Sequence, residues 1–160
     1  MVQELLSLSS EIGKLLTDES LTIASAESCT GGLIGHILTG VSGSSQYYLG
    51  GVIAYSNRIK EEILGVQSQT LLQHGAVSKE TACEMAKGIR KIFEADIGVA
   101  TTGIAGPTGG TPTKPVGLVW IGISTKPNTQ AFEYHFKGSR NDVKTSTVKA
   151  ILTRLLDQLK

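Results

Sequence analysis

Between Ala26 and Gly32 the chain reads Ala-Glu-Ser-Cys-Thr-Gly-Gly. Three neighbouring side chains there could do covalent or acid–base chemistry. Glu27 could act as a general base on water, Ser28 could be a nucleophile, and Cys29 could be a thiolate at a helix N-terminus. A serine hydroxyl is a weak nucleophile until a base takes its proton. The bases on offer are His36, His74 and His135, or a lysine kept neutral by burial. The bland alternative is a capped turn with Ser28 or Thr30 as N-cap. If a helix starts after Gly32, the backbone around Thr30, Gly31 and Gly32 presents unpaired N–H groups. Two glycines would let a phosphate or an acyl-transfer oxyanion come close to them.

Two further clusters carry polar groups. Tyr55-Ser56-Asn57-Arg58-Ile59-Lys60 leads out of an apolar stretch. Lys60 in a crevice would lose hydration and with it affinity for a proton, and a Tyr55 hydroxyl beside it could relay or orient that proton. Neither Ser28 nor Ser56 stands in a Ser-x-x-Lys motif. The run Thr101 to Pro112 is rich in glycine and can turn backbone N–H groups toward an anion. It lacks the Gly-Lys-Ser/Thr of a P-loop. Arg140 precedes the last helical pattern, where a cation opposes the helix dipole, so it is a candidate for holding an anion.

The elements that must position these groups follow from periodicity. Leu5, Leu8, Ile12, Leu15 and Leu16 predict a helix over 3–17, and Leu21 to Ala26 a buried strand. Leu33, Ile34, Ile37 and Leu38 form one face of a second helix closed by Gly40. The Glu27–Gly32 segment is thus a strand–turn–helix junction, where open α/β folds bind ligands. Val41 to Ser45 predicts a loop, Tyr47–Tyr55 a kinked strand, and Arg58–Leu64 and Ser68–Gln73 short helices. Ser78 caps a helix whose core face is Ala82, Met85, Ala86, Ile89 and Phe93. Strands follow at Ile97–Thr102, at Val116–Ser124 and around Phe132, Tyr134 and Phe136. Ser139 and Asp142 cap a last helix with Val148, Ile151, Leu152, Leu155 and Leu159 inward. This order predicts a three-layer α/β/α sandwich with a mixed β-sheet, one domain over 1–160.

Composition narrows the function classes. Hydrophobic residues are 40% and charged residues 18%, an ordinary globular balance. Fifteen basic against fourteen acidic residues give a net charge of +1, with no surplus to grip a nucleic acid. Cys29 and Cys83 form no metal-binding spacing, so no metal and no cofactor are expected. No apolar run can span a bilayer, and no signal peptide is visible, which predicts a cytoplasmic protein with no membrane partner.

Several motifs in order resemble one family. They are Ala26 to Gly32; Tyr55-Ser56-Asn57 with Lys60; His74-Gly75-Ala76-Val77-Ser78; Gly103 to Pro107 with Gly109-Gly110-Thr111; and Lys114-Pro115-Val116-Gly117. Together they are similar to the CinA C-terminal domain family, over nearly the whole chain. The resemblance implies a nicotinamide mononucleotide deamidase that releases nicotinate mononucleotide and ammonia. It implies Ser28 as nucleophile, Lys60 as general base and Tyr55 as the adjacent polar group, with the oxyanion held by backbone at Thr30, Gly31 and Gly32. Thr102, Gly103, Ala105, Gly106, Gly109, Gly110, Thr111 and Arg140 would line a nucleotide site. Phe136-Lys137-Gly138-Ser139-Arg140 departs from the family's Ser-Gly-Asp-Arg form: the arginine is kept and the acid is not. The resemblance also implies a homo-oligomer with a small-molecule nucleotide substrate. The alternative is a non-catalytic nucleotide-binding or competence-related module, which would need neither Ser28 nor Lys60.

Overall fold

The computed structural model describes all residues, Met1 to Lys160. In chain order the elements are α1 (Val2–Asp18), β1 (Ile23–Glu27), α2 (Leu33–Thr39), a 3-10 turn (Ser44–Gln46), β2 (Tyr48–Ile53), α3 (Asn57–Glu62), α4 (Ser68–His74), α5 (Lys79–Ile92), β3 (Ile97–Gly103), β4 (Leu118–Ser124), β5 (Thr129–His135) and α6 (Arg140–Leu159). The strands form one sheet in the order β2-β1-β3-β4-β5. β1 runs parallel to both β2 and β3, while β4 and β5 are antiparallel additions. The expected three-layer α/β/α sandwich with a mixed sheet is what forms.

Alternation along the strands sorts the two faces. Ile23, Val99, Val119, Ile121 and Ile123 point to the side covered by α1, α2 and α6, where they meet Leu5, Ile12, Leu16, Ile34, Ile37, Val148 and Ile151 in the larger core. Ala24, Ala26 and Ala100 point the other way, toward Met85, Ala86 and Ile89 of α5. This second face is lined with small residues for a steric reason. A Cβ on Gly98 would sit 2.2 Å from the Ala86 carbonyl oxygen, and one on Gly122 would sit 2.3 Å from that of Ala82. The α5 backbone therefore lies directly on the sheet. Leu8, Leu15 and Leu159, expected in the core, pack only at its margin.

Most element boundaries shift by a residue or two from the sequence expectation, β1 for instance running Ile23–Glu27 rather than Leu21–Ala26, and two of the shifts have a plain structural reason. β4 begins at Leu118 rather than Val116, because Gly117 adopts φ +94° and turns the chain out of line. The segment 41–45 is not all loop, since its last residues enter the 3-10 turn.

The crossover from β1 to β2 passes over one face through α2, and that from β2 to β3 passes over the other through α5. The carboxyl ends of β1 and β3 thus lie side by side where the winding reverses. Doubly wound sheets leave a crevice at that place.

Candidate active site

The segment after β1 is shaped by an acid at its last position. Glu27 is 2% exposed. Its Oε2 accepts hydrogen bonds from Thr30 Oγ1 at 2.6 Å and from the N–H groups of Gly32 and Ile34 at 3.0 Å, and its Oε1 accepts from Gly35 N–H at 2.9 Å. Thr101 of β3 adds its hydroxyl to that of Thr30 at 2.8 Å. The carboxylate therefore fills the N-terminal end of α2, the place where such a charge is best stabilised. Gly31 at φ +58° and Gly32 at φ +101° supply the two successive left-handed residues that fold the chain back over it. Both oxygens of Glu27 are engaged within the turn and the residue does not border the cavity described below, so the structure does not place it as a general base on water.

The same bonds correct the oxyanion expectation. Gly32 N–H is spent on Glu27, and Gly31 N–H donates to the Ser28 carbonyl at 3.1 Å. Neither glycine borders the cavity described below, nor does Thr30. Within the turn, the N–H groups of Cys29 and Thr30 are the ones with no acceptor.

Lys60 reaches the turn from α3. Ser56 caps that helix, accepting from Ile59 N–H at 3.2 Å, and so directs Lys60 inward. The side chain is 1% exposed, and its Nζ lies 3.1 Å from Ser28 Oγ and 3.3 Å from the Tyr55 carbonyl oxygen. No carboxylate is within ion-pair distance of it. A buried ammonium without a counter-ion is costly, and burial holds the Lys60 pKa below its ordinary value. In the amine form the seryl O–H donates to the Nζ lone pair, while an Nζ–H keeps the Tyr55 carbonyl.

Cys29, the rival nucleophile, is also buried. Burial pushes its thiol up to about 12, against the weaker opposing effect of a hydrogen bond with Thr101. The thiolate considered for a helix start is disfavoured by that burial, and the nearby Glu27 carboxylate adds to the effect.

Ser28 and Lys60 border a cavity of about 280 Å³. Thr102, Gly103, Ala105, Gly106 and Gly109 line it on the β3 side, and Arg140 and Tyr55 also border it. Arg140 Nη1 donates to the Gly106 carbonyl at 2.8 Å and Nη2 to the Tyr55 hydroxyl at 2.9 Å. The Tyr55 hydroxyl is thus engaged with the arginine rather than set beside the lysine, and Tyr55 touches Lys60 through its carbonyl. Two of the guanidinium's five donors are used, which leaves others for an anion. Gly110 and Thr111 do not border the cavity. Thr111 instead closes an outer turn, its hydroxyl accepting from Lys114 N–H at 3.0 Å.

Sequence reasoning missed Ala76 and Val77, which form the wall facing the glycine-rich loop, and also Asn57 and Thr108. Small apolar residues carry no chemical signature, and only their place in the His74–Ser78 motif pointed to them. The Ser139 departure has a simple structural account. Ser139 accepts from Asp142 N–H and Asp142 from Ser139 N–H, a reciprocal cap that fixes the start of α6 and with it Arg140. Serine does at the N-cap what an aspartate would do. No group of three His, Cys, Asp or Glu side chains is gathered as a metal site, and no helix is long and apolar enough to cross a membrane.

Residues 5–159 match the family model for the CinA C-terminal domain. The chain is 53% identical over 134 residues to a CinA-like protein of Salinibacter ruber and 47% identical over 147 residues to one of Thermotoga neapolitana. These alignments cover 84% and 92% of this chain but 32% and 36% of those relatives, so the chain spans about a third of their length. Among solved structures, the competence/damage inducible protein CihA from Agrobacterium tumefaciens superposes with a TM-score of 0.95 at 38% identity, covering 98% of this chain and 96% of that one. The competence damage-inducible protein A (ComA) from Klebsiella pneumoniae gives 0.94 at 32% identity, covering 97% and 96%. The chain belongs to the CinA C-terminal domain family.

Proposed function

We propose that this domain is a nicotinamide-nucleotide amidohydrolase, converting nicotinamide mononucleotide to nicotinate mononucleotide and ammonia. The observation that carries the reading is a buried lysine with no counter-ion, 3.1 Å from a serine hydroxyl at the edge of a cavity. An amide is a poor electrophile, and a structural cap would have no use for a buried lysine at that distance whose burial disfavours its charge. The substrate itself comes from the family resemblance.

In this reading Ser28 Oγ attacks the carboxamide carbon while its proton passes to Lys60 Nζ. The N–H of Cys29, on the residue after the nucleophile, takes the charge that develops on oxygen. The tetrahedral intermediate collapses as the carbon–nitrogen bond breaks. Lys60 gives its proton to the departing nitrogen, and ammonia leaves. Water then attacks the acyl-enzyme ester, with its proton passing to Lys60 and from there back to Ser28. No metal or cofactor enters. The glycines of the β3 side and the free donors of Arg140 bind the phosphate. In this reading the domain works in the cytoplasm as a homo-oligomer of two or more copies.

Incubation of the purified chain with nicotinamide mononucleotide, with ammonia measured against a Ser28→Ala control, tests the reading. Ammonia from the native chain and none from the variant supports it. Binding without turnover overturns it in favour of a nucleotide-binding or competence-related module. Equal release by the variant removes Ser28 from the chemistry.

A further inference from the structure

We infer that Lys114 is a positioning residue of this site, tying the glycine-rich loop to the corner after α4 and so fixing the spacing of two facing cavity walls. Its Nζ donates to the His74 carbonyl at 2.5 Å, across forty positions of sequence. His74 is the last residue of α4, so this carbonyl lacks a partner inside the helix and lies at the end that attracts cations. Lys114 has no carboxylate partner, which leaves the carbonyl as its one side-chain contact. The loop backbone delivers the lysine firmly. Thr111 N–H donates to the Lys114 carbonyl at 2.7 Å, and Lys114 N–H donates to Thr111 Oγ1 at 3.0 Å.

Three successive carbonyls at this corner are each held by a side chain. Thr102 Oγ1 donates to Ala76 at 2.7 Å, and Ser78 and Thr81 hydroxyls donate to Gly75 at 3.0 and 2.7 Å. Those donors come from β3 and from the corner's own helix. Lys114 alone reaches the corner from the loop. The two walls it joins are Ala76–Val77 on the corner and Thr108–Gly109 on the loop, both bordering the cavity. The other end of the loop is held by Arg140 on the Gly106 carbonyl. The stretch bearing Thr108 and Gly109 is thus pinned at both ends, and Lys114 is the pin that does not itself border the cavity.

The kinetic part of this inference rests on the amidohydrolase reading. Lys114→Met removes the pin and leaves Ser28, Lys60 and Arg140 in place. Loss of one charge-assisted hydrogen bond predicts a rise in KM of about tenfold with kcat within about twofold, and Lys114→Arg restores most of the loss. Amide hydrogen exchange supplies a readout independent of turnover: residues 76–77 and 108–109 exchange faster in Lys114→Met and in Lys114→Gln, and return to native rates in Lys114→Arg. Unchanged exchange in both neutral variants overturns the inference, as does a fall in kcat at constant KM. If the native chain releases no ammonia, the functional reading fails, and the exchange measurement alone decides on the pin.

Discussion

Replacing Lys60 with methionine separates catalysis from stability in one variant. Methionine has nearly the length of the lysine stem and places no charge in the 1%-exposed site. The variant loses the amine that accepts the seryl proton, so ammonia release falls by about 10³-fold or more, the scale of removing a positioned base. Its folding stability moves the other way. The native side chain has only the Tyr55 carbonyl and the Ser28 hydroxyl to offset its burial, and exchanging an uncompensated buried ion for an apolar isostere gains about 1–3 kcal/mol. For a chain of this size that raises the melting temperature by roughly 3–9 °C. The gain depends on pH in a defined sense. Because the folded pKa of Lys60 lies below the ordinary 10.5, the unfolded chain binds more protons in the interval between the two values. Native stability therefore rises with pH across that interval and levels off above 10.5. Methionine has no such dependence, so the advantage of the variant is full below the folded pKa and shrinks as pH climbs toward 10.5. Paired thermal melts across a pH series measure this directly. A variant less stable than the native chain at neutral pH, with a gap that does not change on titration, would refute the account of Lys60 as an amine whose burial disfavours its charge.

Three other outcomes follow from the site. The pH profile of kcat/KM has an acid limb of one proton, rising with pH and centred below 10.5, because Lys60 works only after deprotonation; activity that falls as Lys60 deprotonates excludes it as base. Iodoacetamide leaves the native enzyme active and, by peptide mass mapping, leaves Cys29 unlabelled, since its thiol titrates at about 12; inactivation with label on Cys29 reverses the ranking of the two nucleophiles. Glu27→Gln cannot satisfy the acceptor pattern at both oxygens and turns an NH₂ toward a helix N–H, which costs about 2–4 kcal/mol and lowers the melting temperature by roughly 5–15 °C; an unchanged melt contradicts the placement of that carboxylate.

The strand–turn–helix junction was legible because its signals are local: an apolar run, a polar break, two glycines, then helical spacing. The sheet order was not, because pairing partners sit tens of residues apart. Val116 looked like strand because it is apolar, and one glycine at positive φ after it cost the strand its first residues. Glu27 was misread for a physical reason. A carboxylate next to a serine looks like a base, and only three-dimensional placement shows its oxygens consumed by N–H groups up to eight positions ahead. The oxyanion donors shift for a related reason, since Glu27 takes the Gly32 N–H and the Ser28 carbonyl takes that of Gly31. The Ser28–Lys60 meeting spans thirty-two positions and was supplied by resemblance rather than by spacing. Tyr55 was placed in the right region with the wrong contact, because a side chain leaving a loop has many directions to choose from and Arg140 fixed this one.

The occupied end of α2 bears on what happens once an amide has been cut. The reacting carbonyl of a neutral carboxamide meets polar donors and no full charge, which suits an uncharged guest. On the amidohydrolase reading, the acid left behind carries a negative charge into the same niche, near the carboxylate locked in the wall and a lysine whose burial disfavours its charge. Arg140 is tied to Gly106 and Tyr55 and no cation pairs with the carboxylate at the turn, so on that reading the newly formed anion is held less well there than the amide it replaces.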